Sequence, residues 1–290
     1  MKHAYLILAH SDADHLRILV GALDDTRNDI YIHIDKKSDI DDFTNIKAYK
    51  AKLHFTKNRT DIRWGAPSQI DGEYILFKAA YNPNVYSRYH LISGADFPLK
   101  SQDYIHDFFS NHPHEEFIHF SGCENNGNGV TARELYKKCR LYHFFLSSIK
   151  SNNKYKAILS NTLRRGILAF QMIIKIRRRY SFEILYKGSQ WGSFTSNFIK
   201  TLLEKEQTIK SEFKFTHCCD EVYKQTIAMQ ERFSISEYGN MRYIDFSRGS
   251  LQSPYVFIEN DLEELKSRPE LFARKFSTTQ SKSLCNKLLS

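Results

Sequence analysis

Short apolar runs alternate with helical patterns through the first third of the chain, and this alternation constrains the fold most. The apolar runs are residues 5–9, 30–34, 53–55 and 89–92, and the helical patterns are residues 14–23 and 69–81. Strands joined by helical crossovers run parallel and need cover on both faces. The pattern therefore predicts an α/β fold with a mostly parallel sheet flanked by helices.

The ends of these predicted strands indicate where a ligand would bind. In an open parallel sheet, ligands bind beyond the carboxyl ends of the strands. Asp35, Trp64 and Asp96 fall at or near such ends. The chain contains no G-x-G-x-x-G and no G-x-x-x-x-G-K-[ST] motif, which argues against a dinucleotide-binding dehydrogenase and against a P-loop enzyme.

Positive charge is concentrated in one segment, residues 149–180. It contains nine cations and no acid: Lys150, Lys154, Lys156, Arg164, Arg165, Lys175, Arg177, Arg178 and Arg179. The formal net charge is +9, so the rest of the chain is neutral on balance. Residues 167–176 are largely apolar, which predicts a basic amphipathic helix.

This segment has three possible uses. We favour contact with an anionic membrane surface, because interfacial helices combine an apolar face with cations. A solvated helix that covers the core is the ordinary alternative. Nucleic-acid binding is a third, disfavoured because the segment is partly apolar and the chain lacks a known nucleic-acid motif.

Cysteine usage and the amino terminus bear on the compartment. The five cysteines are odd in number, and Cys218 and Cys219 are adjacent, which does not suit a disulfide framework. The apolar run at the amino terminus is short for a signal peptide, and nowhere do eighteen apolar residues follow one another. We expect a cytoplasmic protein, peripheral on the inner face of the cell membrane.

Six short segments, in order, resemble those of one enzyme family. They are YIHID at 31–35, RWG at 63–65, HLISGADFPLKS at 90–101, KGSQW at 187–191, DE at 220–221 and LFARKF at 271–276. With these segments the chain resembles a bacterial member of the core-2/I-branching enzymes, glycosyltransferase family 14. The resemblance implies a GT-A-like fold, a UDP-sugar donor, inversion at the anomeric carbon and no requirement for a metal ion.

The expected absence of a metal agrees with the sequence pattern. Other GT-A enzymes hold a divalent ion with an Asp-x-Asp motif, and no such motif follows the strand predicted at 89–92. Asp12 and Asp14 match the bare pattern, but we interpret this segment, with Ser11 or Asp12, as a helix cap. The histidines show no metal-binding spacing. We predict no metal and no cofactor, with the UDP-sugar as donor substrate.

The resemblance also suggests how the chain is organised. We predict one glycosyltransferase domain over residues 1–290. Residues 1–124 would form a nucleotide-sugar-binding half, 125–182 a basic helical insertion, and 183–290 an acceptor-binding and catalytic half.

Two residues match residues that take part in the reaction of this family. Glu221 matches the catalytic base that takes the proton from the acceptor hydroxyl. The alternative is that Glu221 only stabilises the start of a helix, because acids are common at helix amino termini. Asp220 would cap that helix or orient Glu221. Lys275 matches a lysine that replaces the metal at the diphosphate. The family's assisting arginine aligns with Gln252, so Arg248 or Arg274 is expected to substitute.

The remaining candidates would contact the two substrates. For the donor they are Asp35, Trp64, Asp96, Arg248, Arg274 and Lys275; for the acceptor they are Arg133, Lys187, Ser189, Gln190, Trp191 and Asp220. The alternatives are a turn-forming role for the aspartates and core packing for the tryptophans, which we place in loops. Tyr142 and His143 fall near the expected acceptor, although we interpret His143 as a hydrogen-bonded core histidine.

The combined prediction is an inverting, metal-independent glycosyltransferase. The resemblance implies N-acetylglucosamine as the transferred sugar, with galactose, glucose or xylose as alternatives. We expect the acceptor to be a glycan of surface polysaccharide or lipopolysaccharide synthesis on a lipid carrier. The alternative in another class is a non-catalytic sugar- or nucleotide-binding protein on the same fold. Such a protein would be expected to lose the base, yet Glu221 is present.

Overall fold

The computed structural model describes residues 1–125, 129–149, 153–250 and 253–289. Its strands are β1 (Lys2–Ala9), β2 (Asn28–Ile34), β3 (Lys52–Phe55), β4 (Tyr86–Ser93), β5 (Asp96–Pro98), β6 (Phe117–Cys123), β7 (Tyr186–Thr195), β8 (Arg242–Ile244) and β9 (Phe272–Arg274). Its helices are α1 (Ala13–Ala22), α2 (Ser68–Ala80), α3 (Gln102–Asn111), α4 (Gly129–Leu135), α5 (Lys154–Ile173), α6 (Ser196–Glu204), α7 (Glu206–Phe213), α8 (Tyr223–Gln230), α9 (Leu262–Ser267) and α10 (Thr278–Leu289).

Six strands form the main sheet in the order β3-β2-β1-β4-β7-β6. The first four are parallel to one another, and β7 runs antiparallel between β4 and β6. Helices cover both faces, so the predicted α/β class with a mostly parallel, helix-flanked sheet is confirmed. The four strands predicted in the first third all form.

The core lies in two layers because strand side chains alternate between the faces of the sheet. Along β1, Tyr5 and Ile7 pack with α1, α3, α9 and α10. Leu6 and Leu8 point the other way and pack with α2, α6, α7 and α8. The continuous apolar run in β1 follows from burial on both faces.

A small second sheet, in the order β5-β9-β8, lies beyond the end of β4. Its strands β5 and β9 are antiparallel and pair Asp96 with Arg274. The chain end carrying Arg274 and Lys275 is thereby brought to the carboxyl edge of the main sheet, 178 residues away in sequence from Asp96.

Several local predictions were wrong. Trp191 lies in strand β7 rather than in a loop, whereas Trp64 does lie in a turn. The helix predicted from Asp220 begins at Tyr223, and its amino end has no side-chain cap, so Asp220 does not cap it. Asp12 does cap α1, accepting a hydrogen bond from the His15 amide at 3.0 Å.

Within the described part of the basic segment, residues 154–173 form one long helix, α5, as the pattern predicts. Helix α5 ends at Ile173, so the last three residues of the apolar stretch 167–176 lie beyond it. Lys150 and Gln252, which also entered the predictions, lie outside the described residues. Among the described residues, no helix is long and apolar enough to cross a membrane.

Candidate active site

Two adjoining cavities open beyond the carboxyl edge of the main sheet. The larger has a volume of about 570 Å³ and the smaller about 300 Å³. Their walls share five residues: Trp64, Gln69, Gln190, Trp191 and Arg274. The two cavities therefore form one continuous cleft, at the edge where a parallel sheet binds its ligands.

The smaller cavity is built from the ends of β1, β2 and β4. These ends supply His10, Asp35 and Ser93, which follow or terminate the three parallel strands. Asp35 is buried, and its carboxylate accepts hydrogen bonds from the Lys37 amide at 2.9 Å and the Lys37 ammonium at 2.8 Å. Lys37 also pairs with Asp61, so this wall holds one cation between two carboxylates.

Arg274 lies where the two cavities meet. Its guanidinium is 2.9 Å from the carboxylate of Asp96 and stacks over the Trp191 ring, 5.1 Å from the ring centre. Asp96 is fully buried, and its other oxygen accepts a hydrogen bond from the Ser93 amide at 2.9 Å. Asp96 lines neither cavity; it fixes Arg274, which lines both.

Lys275 follows Arg274 and lies near the smaller cavity. Burial and the neighbouring Arg274 charge lower the pKa of the Lys275 ammonium. Within the described residues, Lys275 makes no side-chain ion pair. The pKa of His10, in the wall of the smaller cavity, is lowered mainly by burial and also by the charges of Arg274, Lys275 and Lys37. The positive charges of these three residues are therefore felt electrostatically in the smaller cavity, next to His10.

Arg248, expected to substitute for the assisting arginine, is placed elsewhere. Its guanidinium pairs with Asp245 at 2.5 Å, Asp261 at 2.7 Å and Glu264 at 2.9 Å. It does not line either cavity. Three carboxylates already neutralise this arginine, so of the two expected substitutes only Arg274 faces the cleft.

Glu221 lies in the wall of the larger cavity, in a 3₁₀ turn (Cys219–Glu221) before α8. Its side chain is 35% exposed, and one carboxylate oxygen is 3.2 Å from the Lys138 ammonium. Burial alone would lower the pKa of Lys138, but the carboxylates of Glu221 and Glu134 raise it. Lys138 comes from a π-helical turn, Tyr136–Arg140, after α4. A carboxylate is thus presented to the cavity beside a fixed positive charge.

Asp220 lies next to Glu221, is largely buried, lines the larger cavity and joins two distant segments. Its carboxylate accepts a hydrogen bond from Gln69 at 2.8 Å, and Gln69 accepts one from the Gly65 amide at 2.6 Å. The Cys218 amide in turn donates to the Gly65 carbonyl at 3.0 Å. Burial and the charges of Glu221 and Glu73 raise the pKa of Asp220. This closed set of bonds ties the turn that carries Trp64 to the turn that carries Glu221, and both residues line the larger cavity.

A buried ion pair supports the floor of the cleft. Glu73 on α2 and Lys224 on α8 are fully buried, with the ammonium 2.6 Å from the carboxylate. Glu73 also accepts hydrogen bonds from Gln190 at 2.9 Å and from Tyr223. Gln190 lines both cavities, so its orientation depends on a carboxylate outside the cavity wall.

Strand β7 supplies most of the predicted acceptor residues. Lys187, Ser189, Gln190 and Trp191 all line the larger cavity. Lys187 pairs with Glu134 on α4 at 2.7 Å, and the Ser189 carbonyl accepts from Gln225 at 2.7 Å.

Other residues expected near the acceptor lie outside the cavity walls. Arg133 is exposed on α4 and lines neither cavity. The Tyr142 ring stacks with the Arg178 guanidinium, 5.0 Å from the ring centre. His143 is buried, with its ring 2.7 Å from the Lys137 carbonyl, and burial lowers its pKa to about 4. His143 is therefore a hydrogen-bonded core histidine, as predicted.

Several residues of the cleft were not predicted. They are His10, Lys37, Gln69, Glu73, Lys138, Asn240 and Arg242. Arg242 is buried, donates to the Gly192 carbonyl at 2.8 Å, and has a pKa lowered by burial to about 10. None of them lies in the six segments that carry the family resemblance, and only its position after Asp35 marks Lys37 in the sequence.

No cluster of three or more histidine, cysteine, aspartate or glutamate side chains able to hold a metal ion occurs among the described residues.

A family model described as Core-2/I-Branching enzyme matches residues 3–266. The chain belongs to the Core-2/I-Branching enzyme family. This membership confirms the predicted family and the enzyme class, glycosyltransferase.

Comparison with solved structures and with curated sequences adds little to the family match. Among solved structures, this Core-2/I-Branching family member is similar to the crystal structure of S. aureus TarS, with 12% sequence identity and a TM-score of 0.28. The match covers 41% of this chain, which spans 21% of the length of TarS. No curated protein sequence matches the chain.

Proposed function

We propose that this family member transfers a sugar from a UDP-sugar to a hydroxyl group of a glycan acceptor, by one inverting displacement and without a metal ion. The observation that carries the proposal is the position of Glu221. It is a partly exposed carboxylate on the wall of the larger cavity, which adjoins the smaller cavity at Arg274. A base and a cationic centre thus share one cleft.

The donor would occupy the smaller cavity. Asp35 follows a strand end there, where its carboxylate can accept hydrogen bonds from uracil or ribose. Arg274 and Lys275 would neutralise the diphosphate, the task that a metal performs in other enzymes of this fold. The charges of both residues lower the pKa of His10, which lines this cavity, and this supports placing the diphosphate there. N-acetylglucosamine is the donor sugar that we propose.

The acceptor would enter the larger cavity, between Trp64 and the strand carrying Gln190 and Trp191. Its hydroxyl oxygen attacks the anomeric carbon, and Glu221 takes the hydroxyl proton. The bond from that carbon to the UDP oxygen breaks, and UDP leaves with the bonding electron pair. Arg274 and Lys275 stabilise the charge that develops on the leaving diphosphate.

We also propose where the enzyme works. Its acceptor would be a growing surface polysaccharide or lipopolysaccharide glycan on a lipid carrier. The enzyme would be cytoplasmic and bound peripherally to the inner face of the membrane. The cationic, acid-free segment 149–180 supports this placement, because it suits an anionic lipid surface.

Transfer assays on purified protein test the proposal. With UDP-N-acetylglucosamine and EDTA, Glu221→Gln is expected to lower the transfer rate on the order of 10²–10⁴-fold, the usual contribution of a general base. UDP binding should be retained, since the smaller cavity is intact. Glu231→Gln, at a partly exposed acid next to the end of α8, is the matched control. An unchanged rate in Glu221→Gln would overturn the assignment of the base.

A further inference from the structure

The most buried side chains of helix α5 are polar, whereas most of its large apolar side chains face solvent. Among its residues, Ser160 and Gln171 are buried, with 8% and 4% exposure. Tyr155, Ile158 and Ile173 are exposed, at 85%, 65% and 76%. A helix at the surface of a soluble protein shows the opposite arrangement, with the apolar stripe buried.

Hydrogen bonds hold the polar face of α5 against the protein. Gln171 accepts from the Tyr142 amide at 2.7 Å and donates to the Tyr142 carbonyl at 2.9 Å. Asn161 donates to the Ile149 carbonyl at 3.2 Å, and the Arg164 guanidinium is 3.3 Å from the His143 ring. These contacts fix the rotation of the helix, so the outward direction of its apolar side is set by specific bonds.

The apolar side is a continuous stripe at helical spacing. Its members are Tyr155, Ile158, Leu159, Leu163, Gly166, Phe170 and Ile173. A Cβ added at Gly166 would meet no atom of the described residues within 4 Å, so the stripe is open at its centre with respect to them. A patch of this kind on a soluble protein marks an interaction surface.

The charges around the stripe indicate what covers it. Lys154 and Lys156 lie at the start of α5, and Lys175, Arg177 and Arg179 follow its end, all exposed. Residues 153–180 contain no acid. A second copy of this chain would bring a second cationic surface against the first, whereas an anionic lipid surface offers acyl chains and negative headgroups together.

We propose that α5 lies in the interface of an anionic bilayer, with its stripe in the boundary between headgroups and acyl chains. This inference rests on the membrane placement proposed above and specifies the inserted element. It does not depend on the catalytic role of Glu221. Insertion differs from simple electrostatic attraction, because it removes apolar side chains from water and persists when salt screens the charges.

The proposed membrane face is close to the cleft. Arg164 on the inner side of α5 contacts His143, whose ring stacks on that of His217 with 5.6 Å between the centres. His217 in turn packs edge-on against Trp64, also at 5.6 Å. Three contacts therefore join the helix to the cavity wall, which would place the acceptor site beside the lipid surface.

An introduced cysteine can report insertion, because all five native cysteines are buried. Leu163→Cys, carrying an environment-sensitive fluorophore, would be mixed with phosphatidylglycerol–phosphatidylcholine vesicles and with phosphatidylcholine vesicles. We expect a blue shift with the anionic vesicles that persists in high salt. Tyr49→Cys is the control, since Tyr49 is 90% exposed and lies just before β3, an edge strand of the main sheet.

Flotation of a charge-bearing variant gives a second readout. Ile158→Asp combined with Phe170→Asp should lower partitioning into anionic vesicles on the order of tenfold or more. Tyr49→Asp combined with Tyr104→Asp, at exposed tyrosines elsewhere, should leave it unchanged. Both variants should bind UDP like the unmodified chain, so failure of this inference is distinguishable from failure of the proposed chemistry.

Three results would overturn the inference. One is the absence of a spectral shift at residue 163 with anionic vesicles. Another is vesicle binding that disappears in high salt without any shift, which would show electrostatic attraction alone. The third is a shift without vesicles that grows with protein concentration, which would show that a second copy of the chain covers the stripe.

Discussion

At the scale of single residues, two glycines differ sharply in what surrounds them. Gly188 lies in β7, where a Cβ would be 1.7 Å from the His119 carbonyl oxygen of the paired strand β6. Gly166 lies in α5, where a Cβ would meet nothing within 4 Å. One glycine permits the close approach of two backbones beneath the cleft, and the other lowers helix stability without any packing reason.

These surroundings predict opposite effects of the same substitution. Gly188→Ala should lower the free energy of unfolding by about 1–3 kcal/mol or more, because backbone atoms have to move. Gly166→Ala should raise it by up to about 1 kcal/mol, since alanine favours the helix. Urea unfolding of the two variants measures both changes. A neutral Gly188→Ala would show that β6 and β7 are more widely spaced than described.

The sequence allowed Glu221, Arg274 and Lys275 to be proposed, because they lie in short segments shared with a family. It did not allow Lys138 or Gln69 to be proposed, although both contact the acidic pair at 220–221. Lys138 is one of many lysines, and only the π-helical turn directs it toward Glu221. Tertiary contacts bring residues such as Lys138 and Gln69 to the site, and a local sequence pattern cannot predict those contacts.

At the scale of elements, the Glu73–Lys224 pair ties α2 to α8. A charge left alone in such a buried place is strongly destabilising, whereas neutralising both partners is much less costly. Glu73 also holds Gln190, so the same carboxylate links helix packing to the wall of the cleft.

A double-mutant cycle tests this link. Lys224→Met alone should lower the free energy of unfolding by about 3–5 kcal/mol, because it leaves the Glu73 carboxylate buried without its cation. Adding Glu73→Gln should recover a large part of that loss, since the amide oxygen can accept from Gln190 and the amide nitrogen can donate to the Tyr223 hydroxyl. Denaturant unfolding of both single variants and the double variant gives the coupling. Strictly additive effects would contradict the account.

The parallel strands were predictable because burial on both faces makes them continuous apolar runs. Strand β7 was not, since Lys187, Ser189 and Gln190 line the larger cavity and leave a polar pattern typical of a loop. Strand β6 and helix α3 were also not predicted from the sequence. For α5, the apolar stretch was predicted, but only the structure shows that it faces outward.

At the scale of the whole molecule, histidines with a lowered pKa dominate the titration near neutral pH. Nine of the twelve have a pKa lowered below the ordinary value, mainly by loss of hydration: His3, His10, His15, His33, His90, His106, His119, His143 and His217. All of them except His10 and His119 are buried or half-buried. Each is neutral in the native state over a pH range where the unfolded chain binds a proton. Their contribution to stability is complete above pH about 6.5 and is lost below it.

We therefore expect stability to fall on acidification from pH 7 to pH 5. Each fully affected histidine contributes a slope of about 1.4 kcal/mol per pH unit. Burial raises the pKa of Glu116 to about 7 and also raises that of Asp220, so these two acids act in the opposite direction. The histidines outnumber them, and we expect a net loss of a few kcal/mol. A urea midpoint that stays constant or rises toward pH 5 would contradict this.

The central claim is a metal-independent site for the donor diphosphate, and calorimetric titration of UDP in the presence of EDTA tests it most directly. We predict binding in EDTA, weakened on the order of tenfold or more by Lys275→Ala because a charged hydrogen-bond donor is lost. Lys200→Ala, at an exposed lysine on α6, should bind UDP like the unmodified chain. Binding that occurs only after manganese is added would contradict the account and would direct attention to the carboxylates of Asp35 and Asp96 as metal ligands.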